Sequence, residues 1–132
     1  AAWPGVIEEG TISDHISAFW DFLPTMADLT DADIHVSTDG ISYLPSLTGK
    51  GRQTEHEYLY WEFHEAGGRQ AVRQGDWKYV VYNVKENPVT ELYNLADDPG
   101  ETVNLASEHP DIVKKMQDIL SSARTESDVF QF

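Results

Sequence analysis

Between Glu57 and Leu95 the chain alternates short β-forming runs with turns so tight that consecutive runs must pair as antiparallel neighbours. Glu57-Tyr58-Leu59-Tyr60-Trp61-Glu62-Phe63-His64 is rich in aromatics and reads as a strand. Glu65-Ala66-Gly67-Gly68 is a hairpin loop, and Arg69-Gln70-Ala71-Val72-Arg73 returns with polar and apolar residues alternating. Gln74-Gly75-Asp76 is a tight turn into a third strand from Trp77 to Val84, which Asn87-Pro88 ends. Glu91-Leu92-Tyr93-Asn94-Leu95 is a fourth, shorter strand. Together they predict an antiparallel meander. Further on, Pro110 suits the first helical position and Asp111 the positive end of the helix dipole. Ile112, Val113, Met116, Ile119, Leu120 and Ala123 recur at helical spacing as one apolar stripe, with Lys114, Lys115, Gln117 and Asp118 on the wet side. Such a stripe should cover one face of the sheet. The expected class is α+β: about four antiparallel strands with a long C-terminal amphipathic helix packed on them. The tail beyond Ser127 carries Phe130 and Phe132 and is expected to dock.

The first 56 residues have a different texture. Trp3-Pro4-Gly5-Val6-Ile7 reads as the exit of a buried strand. A buried strand with no partners ahead of it suggests a sequence cut from a longer polypeptide. Ile16, Phe19 and Trp20 are expected to face a core. A helix is expected to start with Asp21 as N-cap and Pro24 in the first turn, turn Leu23, Met26, Ala27 and Leu29 inward, and stop near Thr30. Residues 30–56 read as loop, punctuated by Asp39-Gly40, Pro45 and Gly49, with Tyr43, Leu44 and Leu47 pinning it down. The chain thus divides into 1–30, a connecting region 31–56, and 57–132.

Composition excludes several classes of function. Nine Lys and Arg stand against 23 Asp and Glu, a net charge of −14, and residues 1–49 hold no Lys or Arg. A nucleic-acid partner needs the opposite balance. No apolar run approaches the ~18 residues that span a membrane. There is no cysteine, hence no disulfide, thiolate zinc site or cysteine nucleophile.

Local motifs for metal or nucleophile chemistry are weak. Asp31, Asp33, His35, Ser37 and Asp39 alternate like a calcium loop. Val36 stands where that loop needs Gly, however, and Ser42 where it needs a bidentate Glu. His15, His35, His56, His64 and His109 show no helical ligand spacing. Glu62 and Glu65 flank His64 and form a candidate acid–base pair, of a kind that 23 acids also produce by chance. No Gly-x-Ser-x-Gly elbow is present. His64 and Arg69 bracket a double-glycine loop, where functional residues often sit on a rigid scaffold. Both can donate hydrogen bonds to an anionic or sugar ligand, and equally to water.

Three stretches together resemble the C-terminal end of the sulfatases, the alkaline-phosphatase-like enzymes that hydrolyse sulfate esters. The first is Trp3-Pro4-Gly5-Val6-Ile7 followed by Asp21-Phe22-Leu23-Pro24-Thr25. The second is Asp39-Gly40-Ile41-Ser42 with Pro45-Ser46-Leu47 and Gly49. The third runs from Leu59-Tyr60-Trp61-Glu62 through Gln70 to Lys78, then Glu91 to Leu95 and Asp98-Pro99-Gly100-Glu101, to Asn104-Leu105. The pattern looks most like bacterial enzymes acting on sulfated sugars. The resemblance implies a formylglycine made from a Cys/Ser-x-Pro-x-Arg motif and a calcium ion, both in a large N-terminal α/β domain. That motif does not occur here, so no residue of this chain matches a catalytic or calcium-binding position, and the chain alone is expected to be inactive. It implies a periplasmic or extracellular setting and a sulfated carbohydrate substrate. It also implies that residues 1–30 belong to the larger domain. Severed from it, Trp3, Phe19, Trp20, Phe22 and Leu23 would be exposed and invite self-association. The expected sugar contacts are His64, Glu65 and Arg69, with Trp61 as a stacking candidate, although a strand tryptophan more often fills a core. A free-standing carbohydrate-binding module is the alternative, and a phosphodiesterase or phosphatase of the same superfamily a sister reading.

Overall fold

The computed structural model describes residues 1–129, so the expectation that Phe130 and Phe132 dock lies outside the described residues. The chain forms two compact units, Ala1–Glu57 and Tyr58 onward.

The second unit is the meander. Strands β1 (Leu59–Phe63), β2 (Arg69–Gln74), β3 (Trp77–Tyr82) and β4 (Val89–Asn94) pair in sequence order, each antiparallel to the next. The registers Tyr60↔Val72, Val72↔Tyr79 and Tyr79↔Leu92 put these four residues in one row across the sheet. Val72, Tyr79 and Leu92 are at most 1 % exposed, and Met116 closes over them. Met116 comes from helix α3 (Pro110–Ala123), whose Ile112, Val113, Ile119 and Leu120 pack on the same cluster as the apolar stripe requires. Gln117 Nε2 also donates to Tyr79 Oη at 3.2 Å, which satisfies a phenol whose ring is buried.

Side chains of a strand alternate between faces, so residues 60, 62, 70, 72, 79, 81 and 92 point toward α3. Residues 61, 63, 69, 71, 80 and 82 point away from it. Turn chemistry fixes this parity. Gly75 takes φ +56° in the short β2–β3 turn. In the β1–β2 loop Ala66, Gly67 and Gly68 are all left-handed, at φ 51°, 83° and 82°. Their carbonyls are then tied down: Val84 N–H donates to Gly68 O at 3.2 Å and Lys85 N–H to Gly67 O at 3.1 Å. A Cβ on Gly67 would meet Asn83 Oδ1 at 2.9 Å. The loop is therefore fastened to the β3–β4 connection and holds the end of β1 in place.

The first unit contains a 3₁₀ turn (Phe19–Asp21), helix α1 (Phe22–Thr30) and a five-residue helix α2 (Leu44–Thr48). Residues 3–7 do not pair as a strand. Val6 N–H and Ile7 N–H both donate to Trp3 O, closing a turn around Gly5 at φ +80°. A strand needs a neighbour for its backbone groups, and no strand lies within this unit. Asp21 is the residue before α1, as expected, yet its carboxylate does not cap the helix. It is fully buried and accepts from Ala18 N–H at 2.7 Å, Ile41 N–H at 2.9 Å and His56 Nε2 at 2.8 Å. Thr25, also fully buried, donates its hydroxyl to Asp21 O and accepts Tyr43 N–H. The buried side of α1 is thus a polar clip at positions 21 and 25. Leu23 and Leu29, expected inward, are exposed, and so is Phe19 at 92 %. α2 falls inside the stretch expected as loop, because five residues carry too little periodicity to mark a helix. Pro45 starts it, and Gly49 at φ +66° ends it.

Candidate functional site

The best-organised polar cluster is at the far end of β1. Glu62 points toward the α3 face, where its carboxylate meets three hydrogen-bonding groups and one guanidinium. Tyr60 Oη donates a short hydrogen bond to Oε1. Arg124 forms an ion pair with the same oxygen, its Nε 2.9 Å away, and Gln70 Nε2 lies 3.5 Å from it. His64 Nε2 is 3.1 Å from Oε2. A carboxylate can only accept, so Nε2 carries the imidazole proton. Gln70 Nε2 also donates to Tyr60 Oη at 3.0 Å, closing the network.

Each partner arrives for a local reason. Tyr60 and Glu62 share parity along β1, and His64 follows directly after its last residue. The register Glu62↔Gln70 sets the amide beside the carboxylate. Arg124 is the residue after α3, and its extended backbone (φ −73°, ψ 128°) swings the following segment over the strand end. Burial pushes the Glu62 carboxyl up, but the bonds from Tyr60, His64 and Gln70 and the Arg124 charge outweigh it, and the net shift is below the ordinary carboxylate range. The Tyr60 phenol moves the other way, raised by burial and by the Glu62 carboxylate it faces, and stays a donor. Glu62, His64, Thr125 and Ser127 line an open cleft of about 380 Å³. A larger concavity, about 840 Å³, is formed by residues 1–11 alone and offers only Glu8 and Glu9 as acidic side chains, with no histidine or basic side chain.

The four residues singled out from sequence do not converge. His64 joins Glu62 on the α3 face. Arg69 stands on the opposite face, its guanidinium 5.5 Å from the Tyr82 ring centroid and 5.9 Å from that of Phe63. This follows from the register row Phe63↔Arg69↔Tyr82. Trp61 shares that outer face and is 37 % exposed, so it is not a core residue of the second unit. Glu65 is exposed in the loop. The Glu62–Glu65 pairing also separates, with Glu62 engaged by Tyr60, His64, Gln70 and Arg124 and Glu65 exposed in the loop. Sequence reasoning missed Glu62 as a hub and missed Arg124, Thr125 and Ser127 entirely. Strand parity was available for Glu62 and Gln70, whereas a residue 62 positions further along left no local signal.

Among the described residues, no group of three or more His, Cys, Asp or Glu converges as metal ligands. With no such cluster among the described residues and no Cys/Ser-x-Pro-x-Arg motif in the chain, the residues here fit neither a calcium cradle nor a formylglycine.

Comparison with known proteins agrees with the fold. Residues 1–126 match the family described as N-sulphoglucosamine sulphohydrolase, C-terminal. Delta 4,5-hexuronate-2-O-sulfatase of Bacteroides thetaiotaomicron is 34 % identical over 115 residues, covering 81 % of this chain and 23 % of that protein. Arylsulfatase A of Bos taurus is 30 % identical over 127 residues, covering 80 % and 25 %. A solved 2-O GAG sulfatase superposes with a TM-score of 0.68 at 31 % identity, over 78 % of this chain and 23 % of its own. The phosphonate monoester hydrolase of Agrobacterium radiobacter shares the fold, with a TM-score of 0.62 at 21 % identity, over 83 % of this chain and 25 % of its own. The chain spans about a quarter of the length of the curated relatives it matches. With an α+β meander under one amphipathic helix, and a family match over all but its last six residues, the chain belongs to the C-terminal family of the sulfatases.

Proposed function

We propose that this chain is the C-terminal portion of a sulfatase that hydrolyses sulfate esters on sugars. The observation that carries the reading is the family match across residues 1–126. The residues that cleave the ester, with the formylglycine and calcium the family implies, belong to the remainder of the parent enzyme. This chain's part is structural and substrate-shaping. Its β1–β2 hairpin walls the sugar pocket, with His64 accepting from a sugar hydroxyl at Nδ1, since its Nε2 proton goes to Glu62, and Glu65 in the loop accepting from others. Arg69 and Trp61 reach a ligand only from the outer face. The parent works in the periplasm or outside the cell. No helix among the described residues is long and apolar enough to cross a membrane.

The test is turnover by the full-length enzyme of a panel of sulfated glycosaminoglycan disaccharides, beside a phosphate diester and a phosphonate ester. Sulfate release from at least one disaccharide is the expected result. Cleavage of the phosphorus esters alone would replace the sulfatase reading by the sister chemistry.

A free-standing carbohydrate-binding role has one observation in its favour: Trp61, Phe63 and Tyr82 present aromatic rings on one sheet face, with Trp61 and Phe63 exposed. Titration of this chain alone with sulfated and unsulfated oligosaccharides separates the two. A binding module saturates by itself, and a substrate-shaping subdomain does not.

A further inference from the structure

We propose that Glu62 is the positioning residue of the sugar site, because one carboxylate holds both of its walls. One wall is His64, held through Nε2 at 3.1 Å. The other is the segment after α3, held through Arg124 at 2.9 Å, which carries Thr125 and Ser127 to the cleft they share with His64. This rests on the reading that His64 contacts the sugar.

The arrangement has the marks of preorganisation. Glu62 is itself fixed by Tyr60 and Gln70, on neighbouring strands, so it does not move to meet its two dependants. Its side chain is 18 % exposed and that of Arg124 13 %, so little water competes for the pair. Arg124 also reaches Glu126 by Nη1 at 2.6 Å, which pins the segment a second time just beyond the cleft. The lining has an imidazole, two hydroxyls and a carboxylate. Short-range donors and acceptors without a net positive charge suit ring hydroxyls rather than the sulfate group. The site would therefore select the sugar and leave the ester to the catalytic domain. Losing a fixed hydrogen-bonding partner of this kind costs about 1 kcal/mol, or roughly five- to tenfold in affinity.

The experiment uses the full-length enzyme. The probes are the sulfated glycosaminoglycan disaccharide it turns over fastest and 4-nitrophenyl sulfate, which has no sugar. The readout is the ratio of kcat/KM for the disaccharide to that for the aryl sulfate. A change in folded fraction cancels from this ratio, so a merely structural role does not move it. His64→Ala is expected to lower the ratio about tenfold and Glu62→Gln about fivefold. Adding Glu62→Gln to a variant that already carries His64→Ala and Arg124→Gln should change the ratio by less than about twofold, since Glu62 acts through those two residues. Arg124→Gln, which leaves the Glu62 side chain in place, should lower the ratio about threefold. If Glu62→Gln does not yield folded enzyme, Arg124→Gln carries the test. An unchanged ratio in His64→Ala overturns the sugar-contact reading and this inference with it. A lowered ratio in His64→Ala, with Glu62→Gln and Arg124→Gln both unchanged, overturns the inference alone. A further loss of about fivefold on that addition also overturns it, because Glu62 would then act independently of both residues.

Discussion

His64 and Arg69 bracket the same four-residue loop and leave it on opposite faces of the sheet. His64 Nε2 meets Glu62 under α3, and the Arg69 guanidinium lies over Tyr82 and Phe63 on the outer face. Strand parity decides this: positions 62 and 64 share one face, 63 and 69 the other. Two donors that look like one site in the sequence therefore serve two surfaces, and their substitutions should be read by different assays.

For Arg69 the assay is stability. Its guanidinium is exposed and sits against two rings, each contact worth about 0.5–1 kcal/mol at an exposed site. Arg69→Ala should lower the unfolding free energy by about 1 kcal/mol, and Arg69→Lys by less. Urea unfolding followed by tryptophan fluorescence measures it. A loss under 0.3 kcal/mol, on the order of experimental error, would leave the ring contacts without energetic meaning.

Glu62 should make the second unit acid-sensitive. Its carboxyl is held below the ordinary range by the groups packed on it: Tyr60 on β1, His64 just after β1, Gln70 on β2 and the Arg124 charge after α3. A folded pKa below the unfolded one adds stability that is complete above the unfolded value, about 4.5, and is lost as pH falls through the folded value. The stability advantage of the native chain over Glu62→Gln should therefore be flat from pH 6 to about 5 and shrink below about 4.5. Chemical denaturation at several pH values tests this. A difference independent of pH would mean that the lost charge is not the cause.

Asp21 and Gly40 hold the first unit together and should be intolerant of change. Replacing Asp21 by Ala strips partners from Ala18, Ile41 and His56 at a fully buried position. About 3 kcal/mol is expected, since each buried group left unsatisfied costs ~1–3. Gly40→Ala places a Cβ 2.3 Å from the Trp20 carbonyl oxygen, so residues 38–43 must shift off α1 at a cost of about 1–3 kcal/mol. Both variants should speed backbone amide exchange at Ile41 and Tyr43. Native exchange rates at those two amides would refute the clip.

The apolar residues left on the first unit should drive association. Phe19 is 92 % exposed, Phe22 53 %, Leu23 49 % and Trp3 44 %. A net charge of −14 opposes it, so the effect should strengthen with salt as that repulsion is screened. Sedimentation velocity of this chain at 0.05 and 0.5 M NaCl should show dimers or larger species growing with salt. Phe19→Ser with Phe22→Ser should restore the monomer. A single monomeric boundary at 100 μM in high salt would rule the patch out as an association surface.

The meander, its order and the covering helix were legible because each depends on neighbours in sequence. Alternation in Arg69–Gln74, the Gly75-Asp76 turn, Pro110 at the helix start and the stripe from Ile112 to Leu120 all act within a few residues. By the same local rules Asp21 read as a helix cap. The fold instead spends its carboxylate on Ile41 and His56, 20 and 35 positions away, because a buried charge must be satisfied by whatever donors the packing brings. The candidate site divides in the same way. Sequence alone marked His64 beside a glycine loop. Only the tertiary structure, by bringing the residue after α3 to the end of β1, joined Glu62 to Arg124, because a contact between residues 62 positions apart leaves no local pattern in the chain.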